Sequence, residues 1–213
     1  MKRVIIILTL SLMTVISMYA QDLQDIKLIE PSQSRGTDVM KALSDRKSLR
    51  EYDTKELSIQ DLSDLLWAAN GVNRPDGKRT APSAMNRQEI DVYLLNKDGA
   101  YLYDHTTHTL KGLVRGDFRK AVAAQQEWAA LAPVSIVLVA NLEKLGDPAS
   151  VNTRITAGMD AGIVSQNIYI FCAAAGLATV TRGTMNKDEL KTVLNLSDTQ
   201  ELMLNNPVGF PNN

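Results

Sequence analysis

Three short clusters hold most of the side chains that could grip an anion or the edge of a flat heterocycle. The first is Arg46-Lys47-Ser48-Leu49-Arg50. Two guanidinium forks with a hydroxyl between them suit a phosphate or another planar anion. On a helical turn Arg46 and Arg50, four residues apart, would project from one side. Asp45 and Glu51 flank the run, so a neutralised, solvated helix end is the competing reading. The second cluster is Ala81-Pro82-Ser83-Ala84-Met85-Asn86-Arg87-Gln88, a proline-fixed loop just before an apolar run. Its hydrogen-bonding side chains could read the edge of a heterocycle, or it could be an ordinary turn. The third is Gly176-Leu177-Ala178-Thr179-Val180-Thr181-Arg182-Gly183-Thr184. A helix stop, a short strand and then Gly183 would let a flat ligand approach the backbone, where an N–H could meet a ring nitrogen. A plain strand-to-loop glycine is the alternative.

Other chemistries have less to work with. Cys172 is the single cysteine and sits in an apolar stretch, which reads as a buried, inert thiol. The two histidines, His105 and His108, fall in a turn-rich segment, so neither cysteine–histidine catalysis nor a structural zinc site is expected. With a net charge of −1 and no basic face, nothing points to nucleic acid.

The elements that must position these clusters follow from periodicity. From Asp38, the spacing of Val39, Met40 and Leu43 predicts a helix running into the first cluster. A second helix starts at Ser58, with Asp61 as capping-box partner, and ends at Asn70-Gly71. Residues 90–95 and 101–103 read as strands joined by the hairpin turn Asn96-Lys97-Asp98-Gly99. Residues 117–130 read as a helix. The valine- and isoleucine-rich run 134–140 reads as a strand covered on both faces. One long helix spans 153–175, followed by strands at 177–182 and 201–208 with a short helix at 188–194 between them. In the long helix, Ala157, Ala161 and Ser165, and also Gly158 and Gly162, recur at four-residue spacing. Each glycine costs roughly 1 kcal/mol against alanine, so close packing on the chain's own sheet or on a partner subunit must offset it. The expected class is α+β or α/β, a central mixed β-sheet flanked by helices.

At the amino terminus, Lys2-Arg3, the apolar run Val4 to Ile16 and the small residue Ala20 have the order of a secretory signal peptide over residues 1–20. The run is shorter than the roughly 20 residues a span needs. The expectation is therefore an exported chain, periplasmic or secreted, with no stable membrane span after cleavage. Residues 21–36 would form an extended arm, and 37–213 a single domain.

Taken in order, these pieces resemble the nitroreductase family, in particular its short members. The matching segments are 46–50, 81–88, Ala132-Pro133, the long helix through Asn167, Thr181-Arg182-Gly183-Thr184 and the closing Pro207-Val208-Gly209-Phe210-Pro211. They cover essentially the whole mature chain. The resemblance implies FMN as cofactor, a homodimer, and a flavin buried at the subunit interface. It implies that Arg46 and Ser48 hold the phosphate and ribityl chain and that Arg50 reaches the pyrimidine side near N1 and O2. Pro82, Ser83 and Asn86 would approach from the other subunit, Gly183 would offer its N–H to N5, and Arg182 would stand beside it. It implies ping-pong transfer from a reductant such as NAD(P)H to a nitroaromatic, quinone or similar small acceptor, with no side chain assigned a catalytic role. One departure is the carboxyl end, Phe210-Pro211-Asn212-Asn213, which lacks the basic residue many members use on the phosphate; Lys47 is the alternative cation. A non-catalytic flavin or ligand binder of the same fold, and a dehydrogenase of peptides or small metabolites, are the competing functions.

Overall fold

The structure, a computed structural model, describes residues 23–212; the expected signal peptide lies outside them. The elements in chain order are β1 (Ile26–Lys27), α1 (Val39–Asp45), α2 (Ile59–Asn70), β2 (Ile90–Leu95), β3 (Gly99–Asp104), β4 (Thr109–Arg115), α3 (Arg119–Ala123), β5 (Val134–Asn141), α4 (Val151–Ala175), β6 (Ala178–Thr179), α5 (Lys187–Val193) and β7 (Gln200–Gly209). One seven-stranded sheet runs β1-β4-β3-β2-β5-β7-β6. The α+β class is as expected, and the sheet is more uniform than the mixed one the sequence suggests: every strand pairing is antiparallel. Tight reversals join β2, β3 and β4, and α4 and α5 turn the chain back between β5 and β7, so each strand meets its neighbour head to tail.

The run at 134–140 is buried on both faces. Ile136, Leu138 and Ala140 join Leu65 and Leu66 of α2 and Ala157, Ala161, Val164 and Ile168 of α4 on one side. Val137 and Val139 join Val122 of α3 and Leu190 of α5 on the other. Helices therefore cover both faces, and β5 is central because no face of it needs to meet water.

Two expectations about elements are corrected. The sequence pattern predicts no element over Thr109–Arg115, yet it is the strand β4. Its alternation is broken by Lys111-Gly112, and the glycine is required because an added Cβ would lie 2.0 Å from the carbonyl oxygen of Leu23 in the arm crossing it. The single helix expected over 117–130 stops at Ala123; Ala124 takes φ 50°, and the chain resumes as a 3-10 turn at Glu127–Leu131. The carbonyls of Val122 and Ala123 accept from the guanidinium of Arg182, at 3.1 and 2.8 Å, which takes up helix-end acceptors and terminates the helix.

The segment before α1 is tied down. Ser32 N–H donates to Asp64 Oδ1 at 2.7 Å, and Ile29 N–H to Ser63 Oγ at 3.1 Å. The Arg35 guanidinium bridges Asp61 and Asp64 of α2. Ser58 and Asp61 form the expected capping box, each satisfying the other's backbone N–H. Among the described residues no helix is long and apolar enough to cross a membrane.

Candidate functional site

Helix α4 organises the site. Toward its carboxyl end, the buried ring of Tyr169 gathers the first and third clusters. Its hydroxyl is 2.8 Å from Ser48 Oγ and accepts from Thr181 N–H at 3.2 Å. The Arg46 guanidinium lies over the same ring, 5.2 Å from its centroid. Leu49 N–H donates to Thr179 O at 3.0 Å, which locks the two segments edge to edge. Trp128 forms a second aromatic face, with Arg50 at 5.9 Å and Arg182 at 5.4 Å from its ring.

The expected helical turn over 46–50 is not formed. Helix α1 ends at Asp45, and Arg46, its cap, has φ −55° and ψ 119°. The run continues extended along β6, so Arg46 and Arg50 reach separate rings, Tyr169 and Trp128. Neither arginine forms an ion pair with a carboxylate among the described residues, and Arg50 is exposed. Two guanidinium groups without counter-ions, a hydroxyl and two aromatic faces share one ledge. Gly183 stands on its rim, exposed, with no atom within 4 Å of where a Cβ would sit.

Arg182 faces inward. It is 6% exposed, and its side chain makes four hydrogen bonds: to Gln126 Oε1 at 2.8 Å, to the carbonyls of Val122 and Ala123, and to Asn205 Oδ1 at 2.8 Å. Burial lowers its pKa, opposed by the nearby Tyr52. Its backbone exchanges two 2.8 Å hydrogen bonds with that of Asn205. The side chain therefore fixes the turn 181–184 from beneath.

The second cluster sits elsewhere on α4. Ala84 N–H donates to Asp160 Oδ2 at 2.7 Å, and Gln88 N–H donates to Ser83 Oγ at 2.8 Å. Met85, Asn86 and Gln88 have φ of 51°, 54° and 51°, the left-handed region that non-glycine residues rarely adopt. Pro82 and Asn86 are exposed and Ser83 is half-buried. Asp160 and Tyr169 are nine residues apart, about 13.5 Å along the helix axis. The loop 81–88 and the ledge at 46–50 are thus held at two stations on one rod.

Beneath the loop lies a polar pocket that sequence reasoning missed. Glu89 is 0% exposed, both its carboxyl oxygens lack a hydrogen-bond partner, and the Asp160 carboxyl lies within hydrogen-bonding reach. Burial, then Asp160, pushes the Glu89 carboxyl up to about 7. Arg79, 6% exposed, donates to Ile90 O at 3.3 Å and sits 2.9 Å from His105 Nε2; burial and Arg79 push that histidine down to about 4.

The small residues of α4 divide between two roles. Ala157, Ala161 and Ser165 pack inward, with Ser165 Oγ 2.6 Å from Thr181 Oγ1 and 2.9 Å from Asn206 Oδ1. Gly158 and Gly162 flank an exposed apolar ridge of Val151, Ile155, Met159 and Ile163. Cys172 is buried, and burial pushes its thiol well above the ordinary range, in keeping with an inert group.

Sequence reasoning also missed Tyr169, Trp128 and Asn205. Each lies in a segment that reads as ordinary core or helix, and only tertiary contact brings them to the clusters. The two closing motifs do meet: a Cβ on Gly209 would lie 2.6 Å from Pro133 Cδ.

Comparison with known proteins agrees with this architecture. The family model described as the nitroreductase family matches residues 43–210. A protein of Methanocaldococcus jannaschii, provisionally named a nitroreductase, is 28% identical over 204 residues, covering 88% of this chain and 97% of that protein. A crystal structure from Ralstonia eutropha, given the same provisional name, superposes with a TM-score of 0.84 at 35% identity, covering 91% of this chain and 92% of that one. A Clostridium acetobutylicum protein provisionally named an NADH oxidase shares the fold, with a TM-score of 0.55 at 23% identity, covering 83% and 89% of the two chains.

Proposed function

Because this chain belongs to the nitroreductase family, and so to a family of oxidoreductases, we propose that it is an FMN-dependent enzyme working as a homodimer. In this reading it passes electrons from a reductant such as NAD(P)H to a nitroaromatic, quinone or similar small acceptor. The observation that carries the reading is the ledge built on Tyr169 and Trp128. Its donor set fits FMN: two guanidinium groups free of carboxylate partners, a serine hydroxyl and an open backbone at Gly183. When bound, FMN would supply the two-electron chemistry that no side chain here can perform.

The residues divide the remaining work. Arg46 and Ser48, both held by Tyr169, take the phosphate and the ribityl hydroxyls. Arg50, carried over the Trp128 face, offers positive charge to the pyrimidine edge. Gly183 presents its N–H without a side chain in the way, on a turn fixed from below by Arg182 and Asn205. Lys47, exposed beside Arg46, adds positive charge for the phosphate. Pro82, Ser83 and Asn86 reach the cofactor of the partner subunit, because their own chain holds them at a separate station on α4, about 13.5 Å along the helix from the ledge. The apolar ridge of α4, with Gly158 and Gly162 allowing close approach, forms the contact between subunits. Export, with residues 1–20 as signal peptide, is part of the same proposal.

The test is direct. Purified protein should be yellow or take up FMN, and NADH or NADPH should bleach the flavin band. Arg46→Ala should weaken FMN binding roughly tenfold to a hundredfold in a fluorescence titration, the loss of one charge-assisted phosphate contact. Protein that takes up no flavin would end the reading, and unchanged affinity in Arg46→Ala would move the phosphate elsewhere.

A further inference from the structure

Glu89 follows directly on the loop 81–88 and enters β2 with its side chain sealed from solvent. Both its oxygens are without a side-chain partner, and another carboxyl, that of Asp160, faces them. Two ionised carboxylates cannot share a dry site at hydrogen-bonding range, so a proton must lie between them. Asp160 in turn holds the loop, accepting the Ala84 N–H at 2.7 Å. We infer that Glu89 is a positioning residue: as a neutral acid it donates its O–H to Asp160, which keeps the Asp160 carboxyl oriented to hold the Ala84 N–H, and so fixes the loop carrying Pro82, Ser83 and Asn86.

The surroundings set which carboxyl keeps the proton. From α4 comes Asp160. From the turn after β5 comes Lys144, whose Nζ donates to Gln88 O at 3.2 Å and lies 4.0 Å from Asp91 Oδ1. From the loop after α2 comes Arg79, shared with His105 and Ile90 O. Asp91 on β2 faces Lys144 and Arg79, and burial raises its carboxyl as well. Lys144 is engaged at the loop end and Arg79 with His105, while Glu89 has no side-chain donor and is the more deeply buried of the pair, so it carries the proton. The loop needs this anchor. Three of its residues hold left-handed backbone, a strain that released chain would shed.

Deprotonating Glu89 removes the O–H that orients Asp160 and weakens the hold on Ala84. Because folding raises the pKa of Glu89, order in the loop is complete at low pH and is lost as pH rises toward and through about 7. The functional consequence rests on the reading above that this loop borders the cofactor.

The experiment follows amide protection across residues 84–88 by hydrogen exchange in flavin-free protein, from about pH 5.5 to 8.5. Protection should fall about tenfold over that range in the wild type and stay level in Glu89→Gln, whose amide donates to Asp160 at any pH. FMN affinity measured alongside should show a matching difference between the two proteins. Level protection in the wild type, or an equal fall in Glu89→Gln, overturns the inference. A fall in protection without a matching change in FMN affinity supports the role of Glu89 and overturns the placement of the loop at the cofactor.

Discussion

Two arginines that look alike in sequence do opposite work. The family resemblance groups Arg182 with the cofactor contacts, but its guanidinium is spent on Gln126, Asn205 and the last carbonyls of α3. Arg46 is half-buried on a ring face with no counter-ion. Replacing Arg182 with Met removes a satisfied buried cation and strands two buried carbonyls and an amide oxygen. The expected cost is about 2–4 kcal/mol, read as a clear fall in Tm. Arg46→Ala, by contrast, should lose no more than about 1 kcal/mol, the worth of a partly exposed cation–π contact. The cluster 46–50 was legible because its residue types and spacing are local facts. The inward turn of Arg182 was not, because it depends on where α3 ends, and that end is set by Arg182 itself.

At the scale of elements, the amino-terminal arm depends on a charged joint at the start of α2. Burial alone would raise the Asp61 carboxyl, but hydrogen bonds from Ser58 and Arg35 outweigh it and hold the carboxyl below its ordinary value of 3.8. A lowered native pKa means that this contribution is complete above 3.8 and drains away as pH falls through the native value. Acid titration should therefore release residues 28–36 before the sheet unfolds, seen as early loss of their amide protection. Asp61→Asn should reproduce the release at neutral pH, with a helix-cap loss of about 1 kcal/mol. If arm and sheet lose protection together, the joint is not the weak point. Helix α2, the β2–β3 hairpin and the doubly covered strand β5 all follow from capping signals and periodicity. Strand β4 escaped notice because its glycine answers to the arm lying across it, and such a crossing leaves no trace in local pattern.

For the whole molecule, the decisive element is α4, which carries both parts of the candidate site and, on its outer side, the ridge from Val151 to Ile163. That ridge leaves four large apolar side chains exposed at four-residue spacing, and small residues beside it permit close approach of another surface. The sequence marked those small residues without telling the inner row from the outer one, since both repeat every fourth position. Only the placement of Ala157, Ala161 and Ser165 against the sheet separates them.

The spacing of the two stations on α4 has a genetic consequence. If the ledge of one chain works with the loop of its twofold partner, the two parts of each site are inherited separately. Mixing Arg46→Ala subunits with Asn86→Ala subunits gives hybrids in which one site carries both lesions and the other carries none. Two inactive variants, unfolded and refolded together in equal amounts, should then recover about a quarter of the wild-type sites. Were both parts drawn from one chain, every site in the hybrid would stay damaged, and the mixture would be as silent as its parents.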